Sequence, residues 1–120
     1  MATVRYLVND VDASLPFYSA LGFQVVERWG PPFVIMSRDE LTLWLSGPGT
    51  SASRPLADGS VPAPGGWNRL VIEVADIEAS MRLLRPTGAR FRSDPIKGPG
   101  GQQVLVEDPS GNPIELFQPG

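Results

Sequence analysis

Sliding the chain along itself by 66 residues lays Val8-Asn9-Asp10-Val11-Asp12-Ala13-Ser14 over Val74-Ala75-Asp76-Ile77-Glu78-Ala79-Ser80, and the match runs on to Gly22 over Gly88. Val8, Asp10, Ala13, Ser14 and Gly22 recur unchanged, while Val11, Asp12 and Leu15 become Ile77, Glu78 and Met81. This internal repeat constrains the fold more than any single motif, because the two copies must share one architecture.

Each copy carries the same signals. Alternating apolar residues over Thr3–Val8 and Arg69–Val74 predict a strand. An acidic residue then opens a helix, Asp10 or Asp12 in the first copy and Asp76 in the second, by offering a side-chain oxygen to free backbone N–H groups. Val11, Leu15 and Tyr18, and Ile77, Met81 and Leu84, follow at helical spacing. Pro16 falls early in its helix, where a missing N–H is tolerated, and Gly22 and Gly88 stop the helices. Further strands are predicted over 23–28, 33–37 and 41–45, and over 90–92, 103–107 and 113–117. Turns stand at Gly30-Pro31-Pro32, Arg38-Asp39-Glu40, Lys97 to Gly101 and Asp108 to Asn112. Each half therefore reads βαβββ. Between the modules at 1–45 and 67–120, thirteen of the twenty-one residues 46–66 are Gly, Pro or Ser, the composition of a linker or flap.

Composition narrows the chemistry. In 120 residues there is no cysteine and no histidine, which excludes disulfides, thiol nucleophiles, imidazole bases and imidazole metal ligands. Ser110 has no base to activate it, so Asp108-Pro109-Ser110-Gly111 is a turn. Gly98-Pro99-Gly100-Gly101 lacks the ending of a phosphate-binding loop and is a hairpin turn. The net charge is −3 with no run of one sign, which argues against a nucleic-acid partner. No apolar stretch approaches the roughly 20 residues that span a bilayer. The start lacks the pattern of a signal peptide, so a cytoplasmic protein without a membrane partner is expected.

Val8-Asn9-Asp10, Phe17-Tyr18-Ser19-Ala20-Leu21-Gly22-Phe23 and the closing Val106-Glu107-Asp108-Pro109-Ser110-Gly111-Asn112-Pro113-Ile114-Glu115-Leu116 resemble the vicinal oxygen chelate superfamily of glyoxalases, bleomycin-resistance proteins and dioxygenases. The resemblance covers essentially the whole chain. It implies an α+β fold of two tandem βαβββ modules forming a curved mixed sheet around a cup-shaped cavity. It also implies a homodimer, the arrangement in which the family completes its clefts. The family's metalloenzymes hold one divalent metal on His, Gln or Glu side chains from equivalent strands of the two halves. Carried over by motif, those positions fall at Thr3, its repeat Arg69, and Glu115, with Thr42 or Trp44 as the first-half counterpart of Glu115. Only Glu115 suits a metal, and arginine is a permanent cation that repels one. No metal or other cofactor is expected.

Strand alternation sends Val4, Tyr6, Val8, Leu70, Ile72 and Val74 under the helices. The same rule turns Thr3, Arg5, Leu7, Arg69, Val71 and Glu73 into the cup, joined by Thr42, Trp44, Glu115 and Phe117. Phe33, Met36, Trp29 and Trp67 are further candidates. The expected ligand-binding set is Arg5, Leu7, Phe33, Met36, Thr42, Trp44, Trp67, Arg69, Val71, Glu73, Glu115 and Phe117. Aromatic rings with a few charges suit a flat organic ligand. Against this stand bland readings: aromatics in a core or dimer interface, and Arg69 simply neutralising Glu115. The expected function is metal-independent sequestration of an aromatic or amphipathic natural product or antibiotic, as in the bleomycin-resistance branch. The alternatives are a metal-dependent glyoxalase- or dioxygenase-like enzyme, a metal-free lyase or isomerase with Glu115 as acid–base, and a module whose cup is filled by its own side chains.

Overall fold

Both copies of the repeat fold as a strand, a helix and an antiparallel ladder that returns beside the first strand. The computed structural model describes residues 2–120, which divide after Pro64 into two units. In the first unit β1 (Thr3–Leu7) leads through α1 (Val11–Ala20) to β2 (Gln24–Arg28), β3 (Phe33–Arg38) and β4 (Leu41–Ser46). The sheet order is β1-β4-β3-β2, with β1 parallel to β4 and the other pairs antiparallel. In the second unit β5 (Leu70–Glu73) leads through α2 (Ile77–Leu84) to β6 (Arg90–Phe91), β7 (Ile96–Gly98), β8 (Gly101–Glu107) and β9 (Pro113–Pro119). Its order is β5-β9-β8-β6, with β7 also on β8. The chain is thus α+β: the first unit is a βαβββ module with a mixed sheet, and the second repeats it with the first strand after the helix divided into β6 and β7.

The helix ends follow the sequence signals. Asp10, not Asp12, caps α1: its Oδ1 accepts from Ala13 N–H at 3.2 Å, and Asp76 does the same for Ala79 at 3.2 Å. Asp12 instead pairs with Arg28 at 2.8 Å. At the far end of α1, Gly22 N–H donates to Ser19 O and Phe23 N–H to Tyr18 O. That closure needs the left-handed backbone that Gly22 supplies at φ 92°.

Burial selects one face of each sheet. Val34, Met36, Leu43 and Leu45 are fully buried with Phe17 and Tyr18 of α1. The rings of Phe17, Tyr18 and Phe23 meet edge to face at 4.9 and 5.7 Å. Leu15, expected in this core, is half-buried, and Phe17 and Ser14 hold the inner face of α1 in its place. In the second unit Ile72, Val104, Val106, Ile114 and Leu116 are buried with Ile77, Met81 and Leu84 of α2.

Three local findings depart from the expected elements. The turn at Lys97–Gly101 is a hairpin whose arms are strands, with Gly98 paired to Gly101. Its partner strand is split in two, because Pro95 has no N–H for the ladder. At Gly101 a Cβ would lie 2.1 Å from Gln118 O, so no other residue fits the turn. The third is Ser46, which closes β4 and is 1% exposed, so the ladder runs one residue into the expected linker. The rest of that segment holds a short 3₁₀ turn at Ser51–Ser53 and is tied to the first unit by Gly47 N–H donating to Pro32 O at 2.7 Å. Among the described residues no helix is long and apolar enough to cross a membrane.

Candidate functional site

In the first unit the face opposite the core carries Arg5, Trp44, Phe33 and Ile35, because Arg5 pairs with Trp44 across β1–β4 and Trp44 with Ile35 across β4–β3. The Arg5 guanidinium lies over the Trp44 ring, 5.0 Å from its centroid. Phe33 meets the same ring edge-on at 5.7 Å and 78°. Beside this cluster is a cavity of about 300 Å³ lined by Arg5, Trp29, Pro32, Phe33, Ser46 and Thr50–Ala52. A ligand pocket starts at roughly that volume.

The corresponding face of the second unit carries Val71, Glu73, Gln103, Leu105, Glu115 and Phe117, by the pairings Val71 to Glu115 and Leu105 to Glu115. Arg69, just before β5, donates from Nε and Nη2 to one oxygen of Glu115, Oε1, at 3.1 and 3.0 Å. Arg92 donates from Nε to Glu107 Oε2 at 2.7 Å and lies 4.6 Å from the centroid of Trp67. Trp67, Arg69, Arg92 and Glu115 line a groove of about 320 Å³ together with Ile96, Gln103 and Leu105. Trp67 is 72% exposed at its rim. An indole kept at a surface and steadied by a guanidinium offers a flat apolar platform with a polar edge.

Of the twelve expected residues, the first-unit cavity brings together Arg5 and Phe33, with Trp44 held against both. The second-unit groove brings together Trp67, Arg69 and Glu115. Leu7 lines a different cavity of the first unit, with Asn9, Pro48 and Val61. Thr42 shares the face of Trp44, and Val71, Glu73 and Phe117 share that of Glu115, but none of these lines the cavity or groove. Met36 is a correction: it pairs with Leu43 on the core face and is 0% exposed, because an even position of β3 points away from Trp44. The sequence reading missed Arg92, Gln103 and Leu105. Alternation along 103–107 places Gln103 and Leu105 opposite buried Val104 and Val106, so that signal was available. Arg92 gave none, since it sits where the edge strand breaks off.

The donor set does not fit a divalent metal. At the position the resemblance gives to a ligand stands Arg69, and its guanidinium occupies Oε1 of Glu115. In the first unit the register puts Trp44, not Thr42, at the place of Glu115, since Arg5 pairs with Trp44 as Val71 pairs with Glu115. Among the described residues no three Asp, Glu, His or Cys side chains come together.

Comparison with known proteins bears on the same architecture. The family model of the Glyoxalase/Bleomycin resistance protein/Dioxygenase superfamily matches residues 1–116. An uncharacterized protein of Mycolicibacterium smegmatis (strain ATCC 700084 / mc(2)155) is 26% identical over 111 residues, 92% of this chain and 86% of the relative. A glyoxalase/bleomycin resistance protein/dioxygenase family enzyme from Burkholderia phytofirmans PsJN superposes with a TM-score of 0.81 at 19% identity, over 98% of this chain and 97% of that one. TnmS3, an antibiotic binding protein from Streptomyces sp. CB03234, superposes with a TM-score of 0.70 at 23% identity, over 98% and 93% of the two chains.

Proposed function

The chain belongs to the Glyoxalase/Bleomycin resistance protein/Dioxygenase superfamily, and within it we propose that it is a metal-independent binding protein that sequesters an aromatic or amphipathic small molecule, a natural product or antibiotic. The observation that carries this reading is the Arg69–Glu115 pair. The one carboxylate at a metal-ligand position has an oxygen taken by two guanidinium bonds, and a cation beside it opposes a second positive charge. What the groove offers instead is recognition: the Trp67 ring for stacking, Ile96 and Leu105 for apolar contact, and Gln103 and the second carboxylate oxygen of Glu115 for hydrogen bonds. Antibiotic binding by TnmS3 supports the choice of ligand class, as a use to which this fold is put.

A homodimer is part of the proposal. Val25, Val26, Val71 and Ile96 are each at least half exposed, and apolar side chains of this kind supply the core of a two-fold interface. Light scattering on the eluting peak should return about twice the 12.9 kDa of one chain.

The test of the function is quenching of tryptophan fluorescence by a panel of aromatic antibiotics, run beside a thermal-shift series over Mn²⁺, Fe²⁺, Ni²⁺, Zn²⁺ and Mg²⁺. The expected result is saturable quenching that Trp67→Ala weakens at least tenfold, with no metal raising Tm. A stoichiometric metal that raises Tm would overturn the proposal in favour of a metalloenzyme, since a ligand that binds only the folded state must stabilise it.

A further inference from the structure

The first unit holds a second site with a different chemistry. We propose that the cavity beside Trp44 takes an aromatic molecule bearing an anionic group, a carboxylate, sulfonate or phosphate, with Arg5 as the anion's partner. Among the described residues Arg5, Arg38, Arg69 and Arg92 line cavities of one unit or the other. Arg38, Arg69 and Arg92 each have a carboxylate within 3.3 Å. Among the described residues no carboxylate pairs with Arg5, and its guanidinium lies over the Trp44 ring. A guanidinium lying over a ring is held in place by the ring's electron-rich face, while its N–H donors remain in the guanidinium plane, free for an oxyanion.

The lining agrees with that assignment. None of the eight residues around the cavity is acidic, and Ser46, Thr50 and Ser51 add hydroxyls. Ser46 is 1% exposed and its Oγ has no hydrogen-bond partner. A buried hydroxyl without a partner is a donor in want of an acceptor. Trp29, 63% exposed, and Phe33 give the aromatic walls. Charge-assisted bonds from a guanidinium to an oxyanion are stronger and more directional than neutral ones, so the anionic group fixes the ligand's orientation and the rings accept its apolar body. The two proposals rest on different residues: those of this site all belong to the first unit, and among the described residues no carboxylate pairs with its cation, whereas Arg69 and Arg92 of the groove each have one.

Two dyes that differ by one sulfonate test it, 8-anilinonaphthalene-1-sulfonate and N-phenyl-1-naphthylamine, titrated into the full chain with fluorescence as the readout. The sulfonated dye should bind at least tenfold tighter than the neutral one, and its affinity should fall with added salt. Arg5→Gln should weaken the sulfonated dye about tenfold and leave the neutral dye within twofold. Arg5→Lys, which keeps the charge, should recover a large part of the loss, and unchanged Tm in both variants separates binding from folding. Equal binding of the two dyes by the wild-type chain, or an Arg5→Gln variant that holds the sulfonated dye as before, overturns the proposal.

Discussion

Arg69 sets two of its N–H groups on a single oxygen of Glu115, Oε1, at 3.0 and 3.1 Å, in the wall of the second unit's groove. Side-chain exposure is 31% for the arginine and 13% for the glutamate. The pair is therefore screened less than a surface ion pair and solvated more than a buried one. A double-mutant cycle of Arg69→Met and Glu115→Gln, read by urea unfolding, should return a coupling of about 1 kcal/mol. A coupling near zero would mean that the two side chains are held by the strands alone and that Glu115 is free for other chemistry.

The helix caps give a matched pair of tests. Asp10 and Asp76 make the same bond to the third residue of their helices, at 3.2 Å in each copy. Asp10→Ala and Asp76→Ala should each lower stability by about 1 kcal/mol, the usual loss of an N-cap acceptor. Asp12→Ala, whose residue meets Arg28 instead, should cost less than either. Guanidinium melts of the three variants check the ranking.

Asp108 is the polar keystone of the second unit's last turn. It is 1% exposed, and its Oδ1 accepts from Ser110 N–H and Asn112 N–H at 2.9 Å each while Oδ2 accepts from Asn112 Nδ2 at 3.0 Å. Asn112 in turn accepts from Gly65 N–H at 2.9 Å. Asp108→Ala would strand two buried donors of Asn112 and the part-buried N–H of Ser110, the buried ones costing about 1 kcal/mol or more each when unmet. A loss of about 3 kcal/mol is expected in thermal or chemical unfolding. A variant within 1 kcal/mol of wild type would show that water replaces the carboxylate there.

Local order in this chain was legible in its sequence wherever one residue type had one physical job. Asp76 could only cap, Gly22 could take the left-handed turn without strain, and the alternation of Leu43 and Leu45 against Thr42 and Trp44 separated two faces of a strand. The repeat then carried each inference from one half to the other. Legibility failed where the outcome depended on neighbours distant in sequence. Met36 has the size and character of a pocket residue, and only its pairing with Leu43 sends it to the core. Arg92 gains its place from a strand that Pro95 interrupts and from Trp67, 25 residues before it. The split of β6 from β7 was hidden for the same reason, since both arms are too short to show a period of two.

Ser46 tests the cavity of the first unit from the side of stability. Its hydroxyl is buried without a partner, so the folded state carries a desolvation cost that alanine would not. Ser46→Ala should therefore raise stability, by about 1 kcal/mol, in place of the usual loss on truncating a buried residue. A fall in Tm would mean that the hydroxyl is satisfied by water in solution.

The sharpest contrast lies between two residues that sequence reasoning placed together. Met36 is 0% exposed among Val34, Leu43 and Leu45, whereas Trp67 is 72% exposed and touches Arg92. Truncating the first opens a cavity in a packed face, and Met36→Ala should cost about 3 kcal/mol. Truncating the second removes a solvated ring and one cation–π contact, so Trp67→Ala should cost less than about 1 kcal/mol. Binding reverses the order: Trp67→Ala loses ligand affinity, while any Met36→Ala protein that remains folded at low temperature keeps it. Chemical denaturation and fluorescence titration of the same two variants check both halves. Equal losses of stability would mean that Trp67 is a structural side chain, and the groove would then be a feature of packing with no ligand of its own.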